Sequence, residues 1–262
     1  MYIYIMIFEF YKYQATGNDF IIIDDREELF DIDDYNLIKS LCERKMGVGA
    51  DGLILLRNHN SYDFEMIYFN SDGNQSTLCG NGARCIVSFA NTLDIISSKS
   101  TFLAIDGLHQ ANIYDKSVSI KFNDIKTIQI DNGNYIVDSG SPHFITFKDN
   151  IENIDVESEG RSIRNMDKFS KDGINVNFVS LGNSIRIRTY ERGVESETLS
   201  CGTGAVAASI ALFHSGLFED NEVDLQTNGG LLSVTFDEFN GVFKNIWLTG
   251  EANLVYIGEF EC

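Results

Sequence analysis

The order of apolar and polar residues along the 262-residue chain predicts many short strands and few helices. Residues 8–24 read as a strand, a turn at Thr16-Gly17-Asn18-Asp19, and a buried strand Phe20-Ile21-Ile22-Ile23 ended by Asp24-Asp25. Over 33–45, Tyr35, Ile38, Leu41 and Cys42 fall at helical spacing, Asp33 or Asp34 serves as a cap, and Arg44 and Lys45 suit the C-terminus. Cys42 is then a core residue. Gly47-Val48-Gly49-Ala50-Asp51-Gly52 is a glycine loop leading into a strand over 53–56. With no helix behind it, the loop is weak evidence for phosphate binding. Residues 62–69 alternate, with Phe64, Met66 and Tyr68 set against Glu65 and Ile67, before a turn at Asn70-Ser71-Asp72-Gly73-Asn74. Strands follow near 101–106, 110–115 and 117–122.

Two stretches break this pattern. Cys79-Gly80-Asn81-Gly82-Ala83 opens a helix whose body, Ala83, Ile86, Val87, Phe89 and Ala90, has few polar positions. Cys201-Gly202-Thr203-Gly204-Ala205 opens another, through Val206, Ala207, Ala208, Ile210, Ala211 and Leu212. A helix apolar on nearly all sides must be enclosed by other elements. The second helix sits in a second series of strands, around 135–138, 144–147, 175–179, 185–190, 222–226, 231–236, 244–248 and 253–257, and Asn175-Val176-Asn177-Phe178 resembles Asn18-Asp19-Phe20-Ile21. The expected class is α/β in the α+β sense. Two pseudo-symmetric domains, 1–123 and 124–250, each curl a mixed or antiparallel sheet around one buried helix.

Composition narrows the function. Apolar residues make up 44 % of the chain, enough for a sizeable core. The net charge of −19 argues against nucleic acid or an anionic membrane as partner, since both require a positive face. Five cysteines without paired spacing suggest reduced thiols in a cytoplasmic protein, and their gaps match no zinc pattern, so no metal is expected. The apolar opening Met1-Tyr2-Ile3-Tyr4-Ile5-Met6-Ile7-Phe8 lacks a basic region and is too short for a signal peptide or a membrane span; Met6 is an alternative start.

Cysteines at helix starts have a distinct chemistry. Unpaired amides and the helix dipole favour the thiolate, lowering a pKa that begins near ~8.5. Glycines at 80, 82, 202 and 204 leave the first-turn amides open to a carboxylate. Two such starts around one carboxylate fit inversion at an α-carbon without a cofactor: one thiolate removes the α-proton and the other thiol returns one to the opposite face. One cysteine before a glycine would read as a small core residue. Two in near-identical settings weigh against that. Cys85, deeper in its helix, reads as packing, and Cys262 as incidental.

At these residues the chain resembles the diaminopimelate epimerases. The match runs in order through Thr16-Gly17-Asn18-Asp19-Phe20, Gly47 to Gly52, Phe69-Asn70-Ser71-Asp72-Gly73, Cys79 to Cys85, Gly140-Ser141-Pro142-His143, Asn175-Val176-Asn177-Phe178, Tyr190-Glu191-Arg192-Gly193 and Cys201-Gly202-Thr203-Gly204. The resemblance implies interconversion of LL- and meso-diaminopimelate for lysine and cell-wall precursor synthesis, without cofactor. It also implies a homodimer, a site in the cleft between the domains, and a segment near 251–262 that returns to the first domain. It makes Cys79 and Cys201 the proton-transfer pair. Gly80, Asn81, Gly202 and Thr203 would surround the reacting carboxylate, and Asn18, Asn70, Asn175, Glu191 and Arg192 would bind substrate. His143 would tune the thiols, with Glu191 beside it. The far end of diaminopimelate is itself an amino acid, so a cation and an acceptor such as Arg192 and Glu191 suit it.

Two positions depart from the pattern. Ser141 stands where asparagine is frequent, and Gly52 where some members have glutamine, which puts the tightness of distal recognition in question. Three other readings remain. A proline or hydroxyproline epimerase of the same fold type would have no distal ammonium to satisfy. A cysteine-nucleophile hydrolase would want a histidine beside the thiol. A binding protein would have little reason to keep both thiols at helix starts.

Overall fold

The computed structural model describes residues 6–261; expectations concerning residues 1–5 and Cys262 fall outside them. The chain forms two compact units, Met1–Ile120 with Glu251–Cys262, and Lys121–Gly250. In chain order the first contains β1 (Ile7–Ala15), β2 (Asn18–Asp24), α1 (Tyr35–Cys42), β3 (Gly52–Arg57), β4 (Glu65–Asn70), α2 (Gly80–Thr92), β5 (Lys99–Ala104), β6 (Gly107–Tyr114) and β7 (Ser117–Lys121). The second contains β8 (Ile128–Asp131), β9 (Asn134–Asp138), β10 (Pro142–Phe147), α3 (Val156–Arg164), β11 (Asn175–Ser180), β12 (Ile185–Glu191), β13 (Ser196–Thr198), α4 (Gly202–His214), β14 (Glu222–Thr227), β15 (Gly230–Phe239) and β16 (Val242–Glu251). The chain then returns to the first unit as β17 (Asn253–Glu261).

The two units share one topology. In the first, β17, β1 and β2 run antiparallel in that order, β2 pairs parallel with β3, β3 antiparallel with β4, and β5–β6–β7 is a meander. In the second, β8, β9 and β10 run antiparallel, β10 pairs parallel with β11, β11 antiparallel with β12, and β14–β15–β16 is a meander. Each parallel step carries a crossover helix, as parallel strands require: α1 and α3 for the pairs just named, α2 between β4 and β5, and α4 between β12 and β14. Each sheet curls around its central helix: α2 meets β1, β2 and β3 on one side and β6 on the other, and α4 meets β9, β10 and β11 as well as β15. The matched topology corrects one sequence parallel. Asn175 opens β11, whose counterpart is β3; Asn18 opens β2, whose counterpart is β10. The likeness of the two asparagine stretches reflects similar strand-start chemistry, not equivalent positions.

Other differences have local causes. The first helix ends at Cys42 because Arg44 leaves the helical path to bind Asp19 and Asp51, both at 2.6 Å. Asp34 caps it, accepting from the Leu37 amide at 2.9 Å. Strand β4 does not alternate in burial. Ile67 and Phe69 face the core under α1, while Tyr68 packs edge-on to Phe20 on the α2 side, so both faces are covered. Helix α3 has only a narrow buried line, Val156 and Gly160 with Ile163 partly covered, too few apolar positions for periodicity to find it. Asp155 caps it, and a Cβ on Gly160 would lie 2.4 Å from Tyr190 Cβ, so only glycine lets α3 sit this close to β12. No helix among the described residues is long and apolar enough to cross a membrane.

Candidate active site

In the first unit, Cys79 is the N-cap of α2, in extended conformation and without a side-chain capping bond. Helix geometry leaves the first-turn amides of Gly80, Asn81 and Gly82 without intrahelical acceptors. Gly82 lets the helix start approach β2 and β3: a Cβ there would lie 3.1 Å from Ile54 and 3.4 Å from the Phe20 ring. Asn18 opens β2 and Asn70 closes β4, and the register Phe20↔Gly52↔Asn70 puts both at the same end of the sheet. The Asn18 Oδ1 is buried without a hydrogen-bond partner, a costly state for an amide oxygen that a bound donor would relieve. Gly52 fits tightly: a Cβ would lie 2.5 Å from the Phe69 carbonyl oxygen, so no side chain is accommodated without backbone movement.

The residue that sequence reading passes over here is Arg84. It is fully buried on α2, and its Nη2 donates to Asn81 Oδ1 at 2.7 Å and to Thr16 Oγ1 at 3.0 Å. Burial pushes the guanidinium down to about 10, opposed by the neighbouring Cys85 and Cys79. It ties the helix start to the β1–β2 turn. A lone cation inside an otherwise apolar helix is the signal that marks it in the sequence.

In the second unit, Cys201 is the N-cap of α4, again extended and without a side-chain capping bond, and 9 % exposed. Its sulfur lies 3.4 Å from Thr203 Oγ1. Thr203 Oγ1 is 2.8 Å from His143 Nε2 and 3.3 Å from Ser141 Oγ. Asn175 is held from both sides: its Oδ1 accepts from the Arg192 amide at 3.0 Å, and its Nδ2 donates to Ser141 Oγ at 3.0 Å and the Pro142 carbonyl at 3.2 Å. Ser141 thus joins the hydrogen-bonded group at the α4 start. Arg192 donates from Nη1 to the Asp172 carbonyl at 2.7 Å. The turn after β12 is braced by Glu195, which accepts from Gly193, Arg164 and Tyr190 at 3.1–3.2 Å. Glu191, the last residue of β12, is half-buried.

In the first unit Gly80 and Asn81 follow Cys79 at the helix start, while Asn18 and Asn70 stand at one end of the sheet. In the second, Cys201 contacts Thr203, and His143, Asn175 and Arg192 are joined to Thr203 through a chain of hydrogen bonds. His143 is wholly buried; burial, then the field of Arg192, pushes it down to about 3, so it is neutral near pH 7. Cys42 and Cys85 belong to the core. Burial pushes the Cys42 thiol up to about 12 and the Cys85 thiol further still. A cavity of about 600 Å³ along α3, lined by Asp155, Glu157, Arg161 and Asn165 among others, contains none of these site residues.

The fold is shared with solved structures of low sequence identity. A phenazine biosynthesis protein of the PhzF family from Bacillus anthracis matches with a TM-score of 0.72 at 15 % identity, covering 98 % of this chain and 99 % of that one. A hydroxyproline epimerase from Agrobacterium vitis matches with a TM-score of 0.69 at 13 % identity, covering 97 % and 92 %. At such identities the likeness defines the architecture, a two-unit fold with a helix at the centre of each curled sheet. Sequence is more specific. The family described as diaminopimelate epimerase matches residues 10–123 and 135–255. The diaminopimelate epimerase of Flavobacterium psychrophilum is 49 % identical, over 94 % of this chain and 97 % of that protein, and that of Aquifex aeolicus 38 % identical, over 96 % and 97 %. The chain belongs to the diaminopimelate epimerase family.

Proposed function

We propose that this protein is an isomerase that interconverts LL- and meso-diaminopimelate by proton transfer between two thiols, Cys79 and Cys201, without a cofactor. The observation that carries the reading is the repeated placement. In each of two units of matching topology, a cysteine caps the buried central helix, and its sulfur is not used in capping. One thiolate takes the α-proton, leaving a carbanion whose charge spreads into the carboxylate. First-turn amides of Gly80, Asn81, Gly202 and Thr203 bind that carboxylate, and their donors strengthen as its charge grows. The other thiol delivers a proton to the opposite face, becoming the thiolate, so the reverse reaction uses the same groups in exchanged roles.

Asn18, with its unpaired buried oxygen, suits an ammonium donor. Asn70, Asn175, Glu191 and Arg192 are the remaining groups for binding substrate, Arg192 for the distal carboxylate and Glu191 for the distal ammonium. The test is incubation with LL-diaminopimelate in deuterated water. Meso product carrying one deuterium at the inverted carbon is expected; product that retains the original hydrogen would exclude proton exchange through thiols.

A cytoplasmic homodimer in lysine and cell-wall precursor synthesis completes the reading. The exposed apolar run Leu254, Val255, Tyr256 and Ile257 on β17 is a suitable contact for a second copy. Sedimentation should give twice the 29.4 kDa chain mass, reduced to one chain by Val255→Lys; a monomeric wild-type protein would remove the dimer.

A further inference from the structure

Asn177 is buried in β11, and none of the substrate-binding or catalytic roles above includes it. Its amide orientation is settled by its neighbours. The Phe144 carbonyl, which only accepts, lies 3.3 Å from Nδ2, and the Thr189 hydroxyl donates to Oδ1 at 2.9 Å across the β11–β12 pair. Nδ2 is therefore a donor, and it sits 2.9 Å from His143 Nδ1. A proton on Nδ1 would set two donors against each other at that distance. Neutral His143 must then carry its proton on Nε2, facing Thr203 Oγ1 at 2.8 Å and Ser141 Oγ at 3.0 Å. The Asn175 Nδ2 also lies 3.5 Å from Nε2, but this contact is long, and that amide has nearer acceptors in Ser141 and Pro142. With its oxygen accepting from His143, the Thr203 hydroxyl is free to aim its hydrogen at the Cys201 sulfur, 3.4 Å away.

Space around this chain of bonds is closed as tightly as its polarity. A Cβ on Gly204 would lie 2.5 Å from Asn177 Oδ1 and 3.3 Å from both His143 Cε1 and Cys201 Cβ. The groups facing His143 are Asn175 and Asn177 on β11, Thr203 on α4, Ser141 on the preceding turn, and Arg192 beyond β12. Arg192 is the charged one among them, and its field opposes a second proton on the ring.

We infer that Asn177 is a positioning residue: it holds His143 as the Nε2–H tautomer, so that Thr203 donates a hydrogen bond to Cys201. This rests on the proposed role of Cys201 as a proton-transfer group, but the orientation of the donors is independent of any substrate. A thiolate that accepts this bond is favoured over the thiol, which accepts it more weakly. The relay supplies a donor from the side chain in addition to the amides of the helix start.

The experiment uses substrate-free protein. ¹⁵N NMR of the imidazole should show His143 protonated on Nε2; an Nδ1–H tautomer in the wild type overturns the inference. In Asn177→Asp, an acceptor replaces the donor, and the proton should move to Nδ1, with Thr203 turned to donate to Nε2. Alkylation of Cys201, followed by mass of its peptide across a pH series, should then show a raised midpoint, about one unit of the rise being the size of one lost hydrogen bond to a charged sulfur. In a Thr203→Val background the same substitution should raise the midpoint by less, the difference being about that one unit, because only the through-space field of the new carboxylate remains. An equal shift in both backgrounds would mean that the effect passes through space or through general loosening, and the relay would be rejected. Because alkylation and NMR need no diaminopimelate, a failure here is separate from a failure of the exchange assay.

Discussion

Replacing Cys79 or Cys201 with alanine should lower epimerisation by at least a hundred- to ten-thousand-fold, roughly the range that a positioned acid or base contributes. The two variants should differ in a way that a merely structural role would not produce. On the proposed scheme each retains one thiol, and that thiol serves one face of the α-carbon. That thiol can remove a proton, exchange it with deuterated solvent and return deuterium to the same face, without inversion. Cys79→Ala and Cys201→Ala should therefore wash out the α-hydrogen of opposite epimers. NMR of recovered LL- and meso-diaminopimelate reads this directly. Inversion by either variant, or the same epimer preference in both, would defeat the two-thiol scheme. Cys42→Ala is the internal control. Cys42 ends α1 on its core-facing side, where burial holds it as the neutral thiol, so epimerisation should continue with a modest loss of stability.

Gly204→Ala should cut activity and stability together, against the usual sense of that change. In the interior of a helix alanine is favoured over glycine by roughly 0.5–1 kcal/mol. At position 204 the added methyl would lie 2.5 Å from Asn177 Oδ1, well inside van der Waals contact. Something must move, and every neighbour belongs to the hydrogen-bonded group that ends at Cys201. Overpacking of this kind costs about 1–3 kcal/mol, and displaced Asn177 would also release His143. Denaturant midpoints should fall, and epimerisation should fall by more than the folded fraction does. Gly182→Ala makes the comparison: its nearest atom is 3.9 Å away, and it should change neither quantity appreciably. Unimpaired activity in Gly204→Ala would show that the packing around the α4 start is not restrictive.

Much of the architecture is legible in residue order because its strongest signals are local. Two helices apolar on nearly every side, each opened by Cys-Gly, demand enclosure, and α2 and α4 are each wrapped by a curled sheet. Strand positions follow from short apolar runs bounded by turn residues, including the glycines with left-handed backbone at 17 and 73. What is illegible lacks a periodic signature. Helix α3 is polar on all but a narrow line, β4 is covered on both faces and so hides its alternation, and Arg44 looks like a helix-terminal cation until Asp19 and Asp51 are brought beside it. The correspondence of β2 to β10, and of β3 to β11, depends on sheet order, which residue spacing does not encode.

By itself the sequence determined the two cysteine-capped helices, the two-fold repetition of β-rich units, and the set of polar residues gathered in short motifs between apolar strands. These are consequences of local chemistry: hydrophobic period, turn preference, and the demand that an apolar helix be covered. Only the tertiary structure decided which polar atoms meet. Arg84 becomes a buried anchor that joins Asn81, one turn before it, to Thr16, and Asn177 becomes the donor that sets the tautomer of His143, because elements distant in sequence bring Thr16 to Arg84 and Asn177 to His143 within about 3 Å. Hydrogen bonds of that length depend on positions accurate to a few tenths of an ångström, which arise from packing of the whole unit and leave no trace in the spacing of residues along the chain.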